Sequence, residues 1–173
     1  MKNKYMKIQI LAIAVLLLGT LTVSGVKETD EVCIKLNFKQ GEWDTGTGIG
    51  GNDGRWHATG TFVDGGTVHD TYQMDWPSMS SSYEMTGRNG ILYIEVELEY
   101  AGDLNKWTGK FEGTWTIVGG TDDYADATGG GDATQIIVFG SAMHSAHMVP
   151  GTGGPATSNH VVLEGEFYFL PPI

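Results

Sequence analysis

Cysteine and basic residues are scarce in this chain of 173 residues, and their scarcity excludes several classes of protein. A single cysteine, Cys33, excludes an internal disulfide and a cysteine-rich zinc site. Ten Lys and Arg stand against 21 Asp and Glu, a formal net charge of −11, and without a basic stripe this argues against nucleic acid as a partner. Apolar residues make up 40% of the chain, too many for a disordered protein. The length predicts one domain.

Helical periodicity and catalytic motifs are also missing. No stretch of residues 26–173 places apolar side chains at i, i+3, i+4 and i+7. No nucleophile stands with a base in a known pattern, so the catalytic residues are unknown and no cofactor is predicted. Residues 46–51 satisfy the G-x-G-x-x-G pattern, but no helix is predicted after them, so they do not indicate a dinucleotide site.

The first 25 residues have the three-part layout of a secretory signal. Three lysines precede an apolar run over residues 8–18, and small residues follow it. We predict cleavage after Gly25, which leaves 26–173 as an exported domain, whether secreted, periplasmic or at the cell surface. An uncleaved membrane anchor is the alternative, but the 16 residues from Ile8 to Val23 fall short of the roughly 20 that span a bilayer. We therefore predict no membrane span after cleavage.

Alternating apolar and polar residues predict β-strands throughout the rest of the chain. The clearest segment is Ile91–Tyr100, where Leu92, Ile94, Val96 and Leu98 share one face and Glu95, Glu97 and Glu99 share the other. Such a period of two buries one face and leaves the other in solvent. Further strands are predicted over 32–38, 56–64, 67–76, 111–117, 133–139 and 161–169, with a weaker one at 83–86.

Turn residues separate these strands and favour a single antiparallel up-and-down β-barrel of about eight strands. Asn89-Gly90 and Asp64-Gly65-Gly66 suit tight hairpins. Six glycines within 41–54 predict a mobile loop, and residues 150–155 predict another. Closing the sheet removes its edges, and eight strands enclose room for side chains or one small ligand. A β-sandwich is the alternative architecture.

One segment, residues 114–131, resembles a known family. Its run Gly119-Gly120-Thr121-Asp122-Asp123-Tyr124 continues to Gly131 and resembles the strand–GGTG-x-[FY]-x-x-A-x-G–strand signature of allene oxide cyclase-like and dirigent-like β-barrels, which include uncharacterised exported proteins. The resemblance supports the predicted barrel, which we class as calycin-like. Asp122 replaces a family glycine, Thr128 replaces an arginine common in dirigent-like proteins, and no catalytic residue of allene oxide cyclase aligns. The resemblance therefore implies the fold and assigns no catalytic role.

Aromatic and histidine residues near predicted loops form the candidate ligand site. Trp56 and Trp76 lie near loops and close in sequence to His57, His69 and Asp70, so Trp56, His57, His69 and Trp76 are predicted to line the barrel mouth. The predicted function is binding of a small apolar or aromatic ligand. The alternatives are an isomerase or coupling-guide enzyme, which the resemblance suggests, and a solidly packed structural surface protein.

Metal ligands are sparse and poorly spaced. His144 and His147 are three residues apart without a matching carboxylate or thiol, so we interpret them as incidental loop residues. Asp122, Asp123, Asp126 and Asp132 cluster around the glycine-rich turn but fit no calcium-loop spacing, and the roles of aspartate in turns and caps explain most of the cluster. No metal site is predicted. Cys33 is either structural or pairs with a second chain, and the oligomeric state stays open.

Overall fold

The computed structural model describes residues 31–38, 42–43, 48–105, 108–139 and 156–169, and β-strands account for most of them. The strands in chain order are β1 (Glu31–Phe38), β2 (Glu42–Trp43), β3 (Ile49–Gly60), β4 (Asp64–Asp75), β5 (Ser78–Thr86), β6 (Ile91–Asn105), β7 (Thr108–Gly120), β8 (Ala127–Phe139) and β9 (Ala156–Phe169). A single 3₁₀ turn, Asp122–Tyr124, is the only helical element in these ranges.

The strands form one closed antiparallel barrel, which confirms the predicted up-and-down architecture over the β-sandwich. From β3 to β9 each strand pairs with the next one along the chain. Strand β1 closes the barrel because it pairs with both β3 and β9, so that Leu36 lies between Trp56 and Val161. The eight barrel strands are β1 and β3–β9, and the short β2 pairs with the start of β3.

The alternation predicted from the sequence divides interior from exterior. On β6 the four apolar residues from Leu92 to Leu98 are buried and Glu95, Glu97 and Glu99 are exposed. On β7 Trp115 is 1% exposed, and its indole N–H donates to the Glu164 carbonyl, 3.2 Å away. Gly131 lies opposite Trp115, and a Cβ there would stand 2.1 Å from the same carbonyl oxygen. The lack of a side chain at Gly131 therefore lets the strands close around the indole ring.

Two predicted loops are wrong, because their glycines lie in strands. Asp64, Gly65 and Gly66 begin β4 rather than forming the hairpin turn, which instead occupies residues 61–63. Residues 49–54 belong to β3 rather than to a glycine-rich loop. Gly50 pairs with Tyr72, and a Cβ at Gly50 would stand 2.2 Å from the Tyr72 hydroxyl. The Tyr72 ring therefore leaves no room for a side chain at Gly50, and the backbone of a neighbouring strand leaves none at Gly66.

Several predictions fall outside the described residues. They are the signal at 1–25 with its cleavage after Gly25, the start of the domain at Val26, the loop at 150–155, and the pair His144 and His147. In the ranges that are described, no helix combines the length and the apolar character needed to cross a membrane.

The two ends of the barrel differ in how their strands are connected. At one end, the turn end, residues 61–63, 87–90 and 121–126 make three short connections. At the other, the Trp76 end, Trp76 and Pro77 connect β4 to β5. Strands β1, β6 and β8 also end here, and strands β3, β7 and β9 begin here.

Candidate functional site

The four residues predicted to line a barrel mouth lie in separate places. Trp56 is buried at the turn end, where its indole N–H donates to the Thr86 carbonyl at 3.1 Å. His57 and His69 are exposed on the outer surface, where His69 pairs with Asp53 at 2.8 Å. Trp76 lies at the opposite end, 37% exposed, with its ring centroid 4.7 Å from that of Tyr100. Of the four residues, only Trp76 therefore lies at the end of the barrel opposite the turn end, and no two of the four meet inside the barrel.

Stacked aromatic rings fill the turn end. The Phe62 ring lies parallel to that of Phe167 with centroids 4.5 Å apart, and it also stacks on Trp56 at 6.2 Å. Tyr124 meets Phe62 edge-on at 5.6 Å. All four rings are buried. Aromatic packing of this kind excludes water, so the turn end is sealed.

Asp64 is buried at the turn end and fully partnered. It accepts hydrogen bonds from the Tyr124 hydroxyl and from the backbone N–H groups of Gly65 and Arg88, and the Arg88 Nε lies 3.6 Å from Oδ1. Burial alone would raise the pKa of Asp64, but the hydrogen bonds from Tyr124, Gly65 and Arg88 and the charge of Arg88 together lower it. Asp64 therefore ties all three turns together as a carboxylate.

A second group of polar residues, all buried except the half-buried Asn52, lines the interior between the middle of the barrel and the Trp76 end. We call this group the interior polar cluster. Its members come from five strands and are Asn52, Asp70, Tyr72, Ser81, Tyr83, Gln135 and Asn159. Asp70 lies between Asn52 on β3 and Tyr83 on β5 in the strand register, and Tyr72 lies opposite Ser81.

Asp70 is the titratable centre of this cluster and is 1% exposed. Its Oδ2 accepts a hydrogen bond from the Asn52 amide at 3.0 Å. Burial raises the pKa of Asp70 to about 7, against the opposing effects of the Asn52 amide, the nearby Ser81 hydroxyl and His69 on the outer surface. Ser81 acts from close range without a hydrogen bond of standard geometry. Asp70 therefore changes charge near neutral pH.

Four buried polar atoms of the cluster have no hydrogen-bond partner. They are Asp70 Oδ1, Ser81 Oγ, Tyr83 OH and Gln135 Oε1. Buried polar atoms are nearly always hydrogen-bonded, because an unmet bond costs about 1–3 kcal/mol. In the described part of the chain these are all the buried side-chain atoms of this kind. Their concentration in one half of one barrel marks that half as the candidate site.

Aromatic rings connect the two sides of the cluster. The Tyr83 ring lies 5.8 Å from that of Phe38, and Phe38 pairs in register with Asn159 on β9. Asn159 in turn accepts a hydrogen bond from the Gln135 amide at 2.8 Å. Burial and the charge of Asp70 raise the pKa of Tyr72 to about 12 and hold the pKa of Tyr83 well above its usual value, so both phenols stay protonated.

Sequence reasoning noted Asp70 only as a neighbour of the predicted site. The signal that identifies it is its place in the β4 alternation, because Val68, Asp70 and Tyr72 share one face. Burying a carboxylate on an otherwise apolar strand face costs free energy, so such a residue is rare and stands out in the sequence. Ser81 has a similar position between Met79 and Tyr83 on β5.

Two further titratable residues, Cys33 and His160, lie on the outer surface of the barrel. Cys33 is a free thiol on the outer face of β1, opposite Glu164 on β9. His160 pairs with Asn37 at 2.6 Å and is exposed. Within the described ranges no three His, Cys, Asp or Glu side chains are grouped so as to hold a metal ion.

Comparisons with protein-family models, with curated proteins and with solved structures gave no match to this chain. The resemblance of residues 114–131 to allene oxide cyclase-like and dirigent-like barrels therefore stays a prediction. What is known of the site comes from its own geometry.

Proposed function

We propose that this protein binds a small, largely apolar or aromatic ligand inside the barrel, with the polar part of that ligand at the interior polar cluster. The observation that carries the proposal is the set of four unpartnered polar atoms, on Asp70, Ser81, Tyr83 and Gln135. A ligand with a few polar groups would satisfy them, and the surrounding rings of Phe38, Tyr72 and Tyr83 would cover its apolar body.

The contrast between the barrel ends supports entry from the Trp76 end. Rings and the Asp64 network seal the turn end, whereas the cluster lies on the other side of the barrel's middle. Trp76, which is 37% exposed, and Tyr100 place aromatic surface at the rim there, on top of the buried Phe111 ring. A ligand with an aromatic body would therefore meet rings both at the rim and inside.

The test is binding of neutral aromatic probes of increasing size, benzyl alcohol, 1-naphthol and N-phenyl-1-naphthylamine, measured by calorimetry and by probe fluorescence. Ser81 and Ser82 are neighbours on β5 that face inward and outward respectively, and they supply matched variants. We expect saturable binding with one site per chain. Ser81→Val should weaken it by about tenfold or more, and Ser82→Val should leave it unchanged.

Two outcomes contradict this proposal. If none of the probes binds saturably, the result favours the alternative of a solidly packed structural surface protein. If both valine variants weaken binding equally at unchanged melting temperatures, the ligand lies outside the barrel. The melting temperature of each variant is measured alongside, so that a folding defect is separated from a lost contact.

A proton-transfer enzyme is the second candidate, and Asp70 is the observation that favours it. A buried carboxyl whose pKa is about 7, beside the Tyr83 hydroxyl, could take up and return a proton near neutral pH. An isomerase or a coupling-guide protein of the resembled type would use such a group. Recovery of every bound compound unchanged after long incubation would count against this alternative.

Export belongs to the same proposal. We propose that residues 1–25 direct the chain out of the cytoplasm and are removed after Gly25. Mass spectrometry of the exported protein should find Val26 at its N-terminus. Retention of residues 1–25 in a membrane fraction would contradict it.

A further inference from the structure

The chemistry of the interior polar cluster narrows the ligand further than its size and apolarity do. Two of the four unpartnered atoms are acceptors only. Gln135 Oε1 can never donate a hydrogen bond, and Asp70 Oδ1 cannot donate one when Asp70 is ionised. The hydroxyls of Ser81 and Tyr83 can either donate or accept. The cluster therefore lacks donors more than acceptors, and a ligand rich in N–H or O–H groups would complete it.

Asp70 also lacks a counter-ion. Among the described residues, the buried polar and charged side chains are Asp64, Asp70, Ser81, Gln135 and Asn159, and none of them is basic. Asp64 has Arg88 beside it, whereas the basic side chain that acts on Asp70 is His69, which points to the outer surface. A buried carboxylate without a cation is strongly disfavoured, so an incoming cation has much to stabilise.

Aromatic rings surround the same carboxyl. Tyr72 and Tyr83 are close enough that the charge of Asp70 raises the pKa of each phenol, and the ring of Phe38 lies 5.8 Å from that of Tyr83. Ring faces attract ammonium groups as well as apolar bodies. The net charge of −11 attracts cations and repels anions at long range.

We infer that the ligand is an organic cation, an amine on a small aromatic or apolar body, whose ammonium group pairs with the Asp70 carboxylate beside Tyr72, Tyr83 and Phe38. This inference rests on the proposed binding function and adds the charge of the ligand to it. A neutral ligand would instead meet Asp70 in its protonated form, and an anionic ligand would be repelled.

The inference makes binding depend on pH in a definite direction. In the described part of the chain, the titratable groups around Asp70 are Tyr72 on its own strand, Tyr83 on β5, and His69 and Asp53 on the outer surface of β4 and β3. Asn52 faces it from β3 without titrating, and the Phe38 ring on β1 lies 5.8 Å from that of Tyr83. Because the pKa of Asp70 is about 7, the affinity for an ammonium should fall by up to about tenfold for each pH unit below 7.

The experiment compares three compounds that share one body and differ in charge: tryptamine, indole-3-ethanol and indole-3-acetate. Phenethylamine and 2-phenylethanol repeat the comparison with a smaller ring. Calorimetry at about pH 8 should give the amine an affinity about tenfold or more above that of the alcohol, with the acid weakest. Titration at about pH 7 in buffers of different ionisation enthalpy should show proton release on amine binding by the wild-type protein.

Asp70→Asn should remove the preference for the amine, and Asp132→Asn, an exposed residue on β8, should retain it. Equal affinity of amine and alcohol, or a preference that survives Asp70→Asn, would overturn the inference while leaving the binding function intact. Failure of every compound and every neutral probe to bind would instead overturn the binding function. Proton release needs no variant, so the test holds even if Asp70→Asn folds poorly.

Discussion

Two buried aspartates lie on strand β4, Asp64 at its first position and Asp70 at its middle, and their surroundings differ in almost every respect. Asp64 accepts hydrogen bonds from three groups and has a guanidinium beside it, so it is held as a carboxylate. Asp70 has one amide donor, an unpartnered oxygen and no internal cation. Both side chains have almost no exposed surface, at 2% and 1%, but Asp70 lies deeper in the barrel than Asp64. The comparison teaches that depth and partners together decide whether a buried carboxyl keeps its charge in this barrel.

The largest expected loss of stability comes from disrupting the aromatic packing near Asp64. Phe62→Ala removes the ring on which Trp56, Tyr124 and Phe167 all pack, and it should lower the free energy of unfolding by about 3–5 kcal/mol. Urea denaturation measures this. Val63→Ala, at a neighbouring side chain that is 66% exposed, is the control and should change stability by less than about 0.5 kcal/mol. Similar effects at both positions would mean that the turn end is not sealed by Phe62.

Asp70→Asn should stabilise the free protein, and the gain should grow with pH. The folded protein keeps a proton on Asp70 up to its pKa of about 7, whereas the unfolded chain releases it near 3.8. The free energy of unfolding of the wild type therefore falls by up to about 4 kcal/mol as the pH rises between these two values. Above pH 7 the contribution of Asp70 no longer changes with pH.

Urea midpoints of wild type and Asp70→Asn at several pH values measure this difference. Their free energies of unfolding should converge at about pH 4 and diverge up to about pH 7. A gap that is constant with pH would mean that Asp70 titrates normally in the folded protein.

Asp64→Asn should destabilise the protein, in contrast to Asp70→Asn. The variant keeps one acceptor oxygen but loses the charge that faces Arg88 and the second acceptor, so it should cost about 2–3 kcal/mol at neutral pH. Because the pKa of Asp64 is lowered on folding, its contribution is present above the unfolded pKa and is lost as pH falls through the folded one. The cost should therefore shrink in acid. A stabilising Asp64→Asn would remove the distinction between the two aspartates.

Hydroxyls at the two sites should repeat the contrast on a smaller scale. Thr121 at the turn end accepts from the Ile91 N–H and donates to Asp122, both at 3.0 Å, so Thr121→Ala should cost about 1 kcal/mol. Ser81→Ala removes an unpartnered hydroxyl and should be neutral or stabilising, within about 0.5 kcal/mol. Thermal melts of the two variants suffice. A loss at Ser81 equal to that at Thr121 would show that the Ser81 hydroxyl is bonded in solution.

The sequence predicts the barrel well because its signal is local. Alternation on β6 identifies both faces of that strand correctly, and the strand predicted over 111–117 lies within β7. The candidate site is harder to predict because it depends on register between strands. Nothing local in the sequence places Asp70 beside Tyr83. The outward positions of His57 and His69 do follow from alternation, because each is next to a buried residue, but the predicted barrel mouth combined residues of both faces.

Glycine misleads in the same way. Gly65, Gly66 and the glycines of 49–54 suggest turns because glycine tolerates unusual backbone angles. In the barrel they lie where a neighbouring strand or ring comes too close for a side chain, as Tyr72 does at Gly50. Only the three-dimensional pairing distinguishes the two uses.

Closure of the barrel by β1 has a consequence for how the chain folds. Every pairing from β3 to β9 joins neighbours along the chain, but β1 must meet β9, where Asn37 and His160 contact each other across 123 positions. Hairpins can form one after another while β3 and β9 keep open edges, and the loop that joins β1 to β9 carries the largest entropic cost. We expect insertion of β1 to limit the folding rate. Until it occurs, the exposed edges of β3 and β9 can receive the β1 of another copy, so the concentration of the chain during refolding becomes a determinant of its yield.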